Sequence, residues 1–239
     1  MCYNQNLMFH TIFTIPLYNA LVFLTTLLGG NIGLGVIALT FVVKLVLSPL
    51  SYASIKSQIE QKKLQPLVDD LKKQYPDQKE QSAKLMELYK EHKTNPFAGC
   101  LLLILQLPVI IALYRVFLGS ATLTGVGLYS FVHLPALTHT MFLGINMSAR
   151  NVFLAILAGA SQFLQMHFSP AMQNMPKPAD TNDKGALMAS SMTTSMKYTM
   201  PLMIAFFGYA VPAAVTLYWI VSNIFMIAQE QYVVKRNKK

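Results

Sequence analysis

Apolar positions along this chain fall in long runs, and the stretches between them differ sharply in character. Runs near 33–50, 97–118, 151–168, 198–211 and 212–232 are mostly long enough to cross a hydrocarbon core of roughly 30 Å, which takes about 20 helical residues. Gly208 and Pro212 interrupt the last two. Between the first two runs, residues 52–94 are charged and Gln-rich with helical periodicity: Ile55, Ile59, Val68, Leu71 and Tyr75 fall near one face of a first helix. Leu85, Leu88 and Tyr89 line part of a second, and YPDQ supplies the turn. The pairs Asp69/Lys73 and Glu80/Lys84 have the i,i+4 spacing that supports solvated helices. Residues 12–28, IFTIPLYNALVFLTTLL, are apolar and uncharged, but GGNIG follows too closely for two full spans to be joined there. A helix over 15–28, ended by Gly29 and Gly30, is predicted to lie at the outer interface with Asn19, Thr25 and Thr26 as its polar face.

Composition agrees: 54% of the 239 residues are hydrophobic and 12% charged, against about a quarter charged in an ordinary soluble domain. The formal charge of +9 would fit a nucleic-acid partner, but its distribution points elsewhere. Residues 1–43 carry no charge, nine lysines (56, 62, 63, 72, 73, 79, 84, 90, 93) fall between the first two spans, and Lys235, Arg236, Lys238 and Lys239 form the tail. The connection 119–150 has one basic residue, Arg150. The positive-inside rule then predicts the N-terminus outside and the tail in the cytoplasm, which five spans satisfy and four or six do not.

The predicted architecture is an all-α polytopic membrane protein. An outer segment 1–31 carries the interfacial helix; spans cover 32–51, 95–118, 151–169, 198–211 and 212–233. A cytoplasmic helical hairpin occupies 52–94, an outer loop 119–150, a Pro-, Asp-, Ser- and Met-containing cytoplasmic loop 170–197, and a basic tail 234–239. Cys2 and Cys100 imply no disulfide framework, Cys100 lying within a predicted span. The N-terminus lacks the basic n-region and small-residue site of a removable signal peptide. Cys2 reads as incidental rather than as the lipid-bearing residue of a lipoprotein.

One side chain stands out in TFVVKLVLSPL, residues 40–50: Lys44, about 12 residues or roughly 18 Å into its span. A charge at the centre of a membrane helix costs roughly 2.5–3.5 kcal/mol on insertion scales, unless the four-carbon stem snorkels to the headgroups. Thr40 and Ser48 lie four residues to either side and Ser51 follows, so the helix has a polar stripe that suits protein or trapped water better than lipid. Hydration there would also tolerate Pro49. Other spans supply matching groups: Gln106, Tyr114 and Arg115 in the second; Ser161, Gln162 and Gln165 in the third; Thr216, Trp219, Asn223 and Glu230 along one side of the fifth. Singly, each fits a packing hydrogen bond worth about 0.6 kcal/mol; together around a lysine they suggest a hydrated cavity.

The sequence contains no Walker loop, GxSxG or HExxH, and its histidines (10, 92, 133, 139, 167) form no ligand-like pair on one helix. Glu230 is the only acid in any span and sits near its cytoplasmic end, whereas a proton or sodium relay usually has a deeper one. Neither an enzyme, a metal site nor a bound cofactor is expected.

The segments NPFAGCLLLILQLPVIIALYRVF (95–117), VPAAVTLYWIVSNIFMIAQEQYV (211–233), TFVVKLVLSPL with its charged hairpin, and QFLQMHFSPAM (162–172) resemble, in order, the second, last, first and third core spans of the YidC/Oxa/Alb membrane protein insertases. The resemblance runs from about residue 12 to 236. It implies five helices around a groove open to cytoplasm and lipid but closed outside, in the short form without the large outer domain of Gram-negative members. It also implies a basic groove residue at Lys44, where arginine is usual, and substrate-contacting positions at Thr40, Gln165 and Trp219. Lysine is a more compact and more strongly hydrated charge than arginine, so hydration of the groove matters more here.

The expected function is therefore an insertase of the bacterial plasma membrane. A groove of Thr40, Lys44, Ser48, Gln106, Gln165, Trp219 and Asn223 moves polar outer segments of nascent membrane proteins across the bilayer and releases their helices into lipid. The ribosome, the Sec translocon and membrane lipids are the further expected partners, and no specific nucleic acid is. The rival reading is a small-solute transporter or channel component with Lys44 as an anion site.

Overall fold

The computed structural model describes residues 8, 10–75, 77–95, 98–119, 127–170 and 184–237, with the side chains of 72, 73, 78, 98–105, 118, 119 and 184–196 outside that description. Cys2, Pro76, residues 120–126 of the outer loop, 171–183 of the cytoplasmic loop, and Lys238 and Lys239 lie outside the described residues. Among those described, the chain is helical apart from loops and a two-residue hairpin, β1 (Met141–Phe142) against β2 (Ile145–Asn146).

A single π-type turn, His10–Thr14, leads into α1 (Ile15–Leu27). Gly29 and Gly30 end it with φ of 71° and 82°, conformations that cost a residue with a Cβ. Gly30 has a second reason to be glycine: a Cβ there would lie 1.8 Å from the Leu137 carbonyl oxygen. Asn31 then caps α2, its side chain accepting from the Leu34 amide at 3.1 Å.

The first predicted span and the first arm of the hairpin form one element. Helix α2 (Ile32–Gln74) runs unbroken for 43 residues, about 65 Å, through both Pro49 and Pro66. That is more than twice the hydrocarbon thickness, so the boundary expected at residue 51 marks a change of surface and not of backbone. The second arm, α3 (Gln78–Glu91), is capped by Asp77.

Helix α4 (Ala98–Gly119) returns toward the start of α2; α5 (Val152–Phe168), α6 (Lys184–Ala210) and α7 (Ala213–Arg236) follow. Helix α6 begins within the segment read as a cytoplasmic loop, where Ala-Leu-Met-Ala is good helix-forming sequence. Close approach of α5 to α6 is set by Gly159, where a Cβ would come within 2.9 Å of Ala205 and of the Pro201 carbonyl oxygen. Helix α7 packs along both α2 and α5.

Among the described residues, length and composition single out His10–Leu27, Ile32–Leu71 and Ala213–Arg236 as able to cross a membrane, with Gln106–Phe117 and Val152–Phe168 as shorter apolar helices. Helices α2, α5 and α7 all start at the end carrying loop 127–151, here the loop end; the other is the hairpin end. At the loop end the core is apolar: Ile32, Val36, Leu39, Leu113, Met147, Ala213, Ala214, Val215 and Tyr218 are at most 2% exposed.

Two polar residues of α1, Asn19 and Thr25, are buried. Asn19, 3% exposed, donates to the Gly127 carbonyl at 3.0 Å and accepts from the Tyr129 amide at 2.7 Å. Thr26 donates to the His133 carbonyl at 2.9 Å, and His139 bonds the backbone of Gly30 and Ile32. Loop 127–139 is thus strapped along α1 by Asn19 and Thr26, two of the three side chains of the expected polar face.

Candidate functional site

Beyond the apolar layer the same helices turn polar, at matching depths. Lys44 stands 12 residues from the start of α2 and Gln106 stands 13 from the end of the antiparallel α4, so each is about 18–20 Å from the loop end. Lys44 Nζ donates to Gln106 Oε1 at 3.1 Å and is only 5% exposed. Because an ammonium can only donate, it fixes the orientation of that amide. The Gln106 nitrogen then points at α7, donating to the Tyr218 hydroxyl at 2.6 Å and the Ser222 hydroxyl at 3.4 Å. One turn further toward the hairpin end, Gln229 Nε2 donates to Ser48 Oγ at 3.0 Å and to the Ser48 carbonyl at 3.1 Å.

A second network lies between α7 and α5. Trp219 Nε1 donates to Gln162 Oε1 at 3.0 Å, and Asn223 Nδ2 donates to the same oxygen at 3.2 Å and to Ser161 Oγ at 3.0 Å. Gln162 Nε2 passes the bond to Gln165 Oε1 at 3.4 Å, and Gln165 Nε2 ends it on Glu230 Oε1 at 3.1 Å. Apart from the branch from Asn223 through Ser161 to the Ala158 carbonyl, the donors lead to the carboxylate, a group that when ionised can only accept.

Six of the seven residues predicted for the groove therefore divide between the two sides of α7. Lys44 and Gln106 bond directly; Ser48 lies on their side but pairs with Gln229; Gln165, Trp219 and Asn223 belong to the α5 side. Thr40 is fully buried, and its hydroxyl donates to the Val36 carbonyl within its own helix at 2.7 Å. It shares a stripe with Lys44 without bonding to it.

Sequence reasoning left Tyr218, Ser222 and Gln229 out, and named Glu230, Gln162 and Ser161 without placing them in the site. The missing signal was a second stripe: 218, 222 and 229 repeat the helical spacing of 219, 223 and 230, shifted by one residue or about 100° around the axis. Among the described residues no group of three His, Cys, Asp or Glu side chains could hold a metal.

Comparison with known proteins gives these networks a context. Residues 23–239 match the family model described as 60Kd inner membrane protein. Proteins named membrane protein insertase YidC are similar to the chain. One from Oleidesulfovibrio alaskensis is 33% identical over 216 residues, covering 87% of this chain and 36% of that protein. Another, from Wolinella succinogenes, is 32% identical over 228 residues, covering 95% and 38%. A third, from Fusobacterium nucleatum, is 32% identical over 210 residues, covering 87% and 88%. The chain thus spans little more than a third of the first two relatives and most of the third. An active YidC insertase crystal structure with its first transmembrane domain resolved shares the fold, with a TM-score of 0.58 at 23% identity over 91% of this chain and 46% of that one.

Proposed function

We infer the function from a plain premise: the chain belongs to the 60Kd inner membrane protein family, and its relatives in that family are named membrane protein insertase YidC. The reading is that this chain inserts membrane proteins into a bacterial plasma membrane by lowering a barrier, without covalent chemistry or nucleotide hydrolysis. Five helices, α2, α4, α5, α6 and α7, span the bilayer. The loop end is outside, and the hairpin and tail are cytoplasmic, as the lysine distribution favours.

The observation that carries this reading is Lys44, held 5% exposed about 18 Å from the loop end with Gln106 as partner. Its depth stops short of the outer face, where the apolar layer from Ile32 to Leu39 begins. A site polar from the inside and sealed outside suits a transient stop for a polar segment better than a through-channel. The ammonium attracts the outer segment of a nascent client, and Gln165, Trp219 and Asn223 offer hydrogen bonds to its unpaired backbone. The emerging apolar helix then leaves between α4 and α5 into lipid. The membrane potential adds roughly 2.3 kcal/mol per charge per 100 mV for acidic segments moving outward. The hairpin receives the client, beside the ribosome or the Sec translocon, and the basic tail meets anionic headgroups.

The test is complementation of an insertase-depleted bacterium with Lys44→Arg, Lys44→Ala and Lys44→Glu, joined to photocrosslinking from Trp219 to a ribosome-bound nascent client. Growth is expected with arginine, weakened with alanine and lost with glutamate, with crosslinks in the wild type. Growth with glutamate and no crosslink from Trp219 would overturn the reading, and anion flux in liposomes without client contact would favour a transporter instead.

A further inference from the structure

Only two charged side chains among the described residues are less than a tenth exposed: Lys44 at 5% and Glu230 at 1%. They are opposite in sign and stand on α2 and α7, which pack along each other, where Gln229 beside Glu230 bonds Ser48 one turn from Lys44. They do not touch. By contrast, Lys63–Glu60 and Lys84–Glu87 form direct ion pairs on the hairpin arms. An isolated ionised group is very costly to bury, and an opposite charge nearby is what offsets that cost. Bonds hold both groups in place: Gln106 accepts from the Lys44 ammonium, and Gln165 with Ser169 beside it holds the Glu230 carboxyl on the α5 side.

We propose that Glu230 is the resident counter-ion of Lys44 and sets the charge preference of the client site. This rests on the insertase reading and makes it more specific. With Glu230 in place, a carboxylate on an incoming segment competes for Lys44 with one already there. The chain then prefers outer segments that carry little negative charge, and removing the Glu230 charge makes it selective for acidic ones. Glu230 acts through Lys44 and is a positioning and specificity residue, not one that meets the client.

Glu230→Gln separates this role from a purely structural one, because glutamine keeps an oxygen to accept from Gln165 and loses only the charge. The experiment uses the full chain in proteoliposomes and a single-span client whose outward segment carries no aspartate or three. The readout is the ratio of protease-protected acidic client to protected neutral client. Glu230→Gln is expected to raise that ratio roughly fivefold, the factor equivalent to about 1 kcal/mol; with Lys44→Gln already present it should leave the ratio unchanged. An unchanged ratio in Glu230→Gln alone makes Glu230 a helix pin and overturns the proposal. A second readout is independent of clients: thermal unfolding of the two single variants and the double variant in detergent. The double variant is expected to lose less than the sum of the singles, and strict additivity overturns the counter-ion. Protection of neither client by the wild type would defeat the insertase reading, while the thermal cycle still decides the pairing.

Discussion

Tyr218, Ser222 and Gln229 on one flank of α7, and Trp219, Asn223 and Glu230 on the other, differ by one residue each in sequence and by almost everything in what they hold. The first flank closes on α2 and α4 around a cation, through donors that begin at Lys44 and end on hydroxyls. The second closes on α5 around an anion, through donors that begin at Trp219 and Asn223 and end on Glu230. One rotation of about 100° thus puts opposite charges on opposite sides of one helix. The difference teaches that the polar layer is two directed networks sharing a wall, each anchored by a group able to exchange bonds in one direction only.

The sharpest way to break the comparison is to remove the hub of each flank. Gln106 accepts from the Lys44 ammonium and also donates to Tyr218, which is fully buried. Gln106→Leu leaves the buried ammonium short of its acceptor, which costs more than the roughly 1–3 kcal/mol of a neutral group, while Tyr218 keeps Ser222. A loss of roughly 3–5 kcal/mol in thermal or denaturant unfolding in detergent is expected. On the other flank, Asn223→Leu removes donors to Ser161 and Gln162, but Ser161 still bonds the Ala158 carbonyl and Gln162 still accepts from Trp219. Its expected cost is about 1 kcal/mol, near the average for such bonds in membrane proteins. Equal losses in the two variants would show that the flanks are not organised around their charges.

How far the sequence disclosed this depends on whether a partner is local. Thr40, Lys44 and Ser48 are spaced along one helix, so the stripe could be seen directly and Lys44 recognised as its centre. Gln106 could be proposed as a partner because α4 runs back antiparallel to the same depth. Glu230 could be placed at the end of the Thr216, Trp219 and Asn223 stripe, but nothing local says that Gln165 is what it meets. The role of Asn19 was hidden for the same reason: its bonds go to Gly127 and Tyr129, more than 100 positions away. Pro49, expected to be tolerated within the span, lies inside a helix that continues to Gln74. Boundaries drawn from hydropathy follow the solvent, and the backbone of α2 does not change where its solvent does.

The hairpin supplies the contrast that sharpens the comparison most gently. Lys84 Nζ and Glu87 Oε2 meet at 2.9 Å with their side chains 42% and 58% exposed, so here opposite charges touch in water, whereas Lys44 and Glu230 stand apart inside protein. The hydrogen bond from Lys84, followed by its charge, holds the Glu87 carboxyl below the usual glutamate value, and the same bond raises the Lys84 ammonium. A depressed acid contributes above its unfolded pKa and loses that contribution as pH falls through the folded value. A raised base contributes below its unfolded pKa and loses it as pH rises through its folded value, so the pair acts only between these limits. In a carboxyl-resolved NMR titration of the chain in micelles, Lys84→Met is expected to move the Glu87 midpoint upward with almost no change in unfolding temperature, as for exposed pairs generally. Salt of about 1 M, with a screening length near 3 Å, should remove most of the difference. The coupling between Lys44 and Glu230 in the thermal cycle should survive the same salt, because ions reach exposed pairs and are kept from buried ones. Equal sensitivity to salt at both places would mean that the Lys44 network is as open to water as the hairpin, and the distinction between buried and surface charge would fail there.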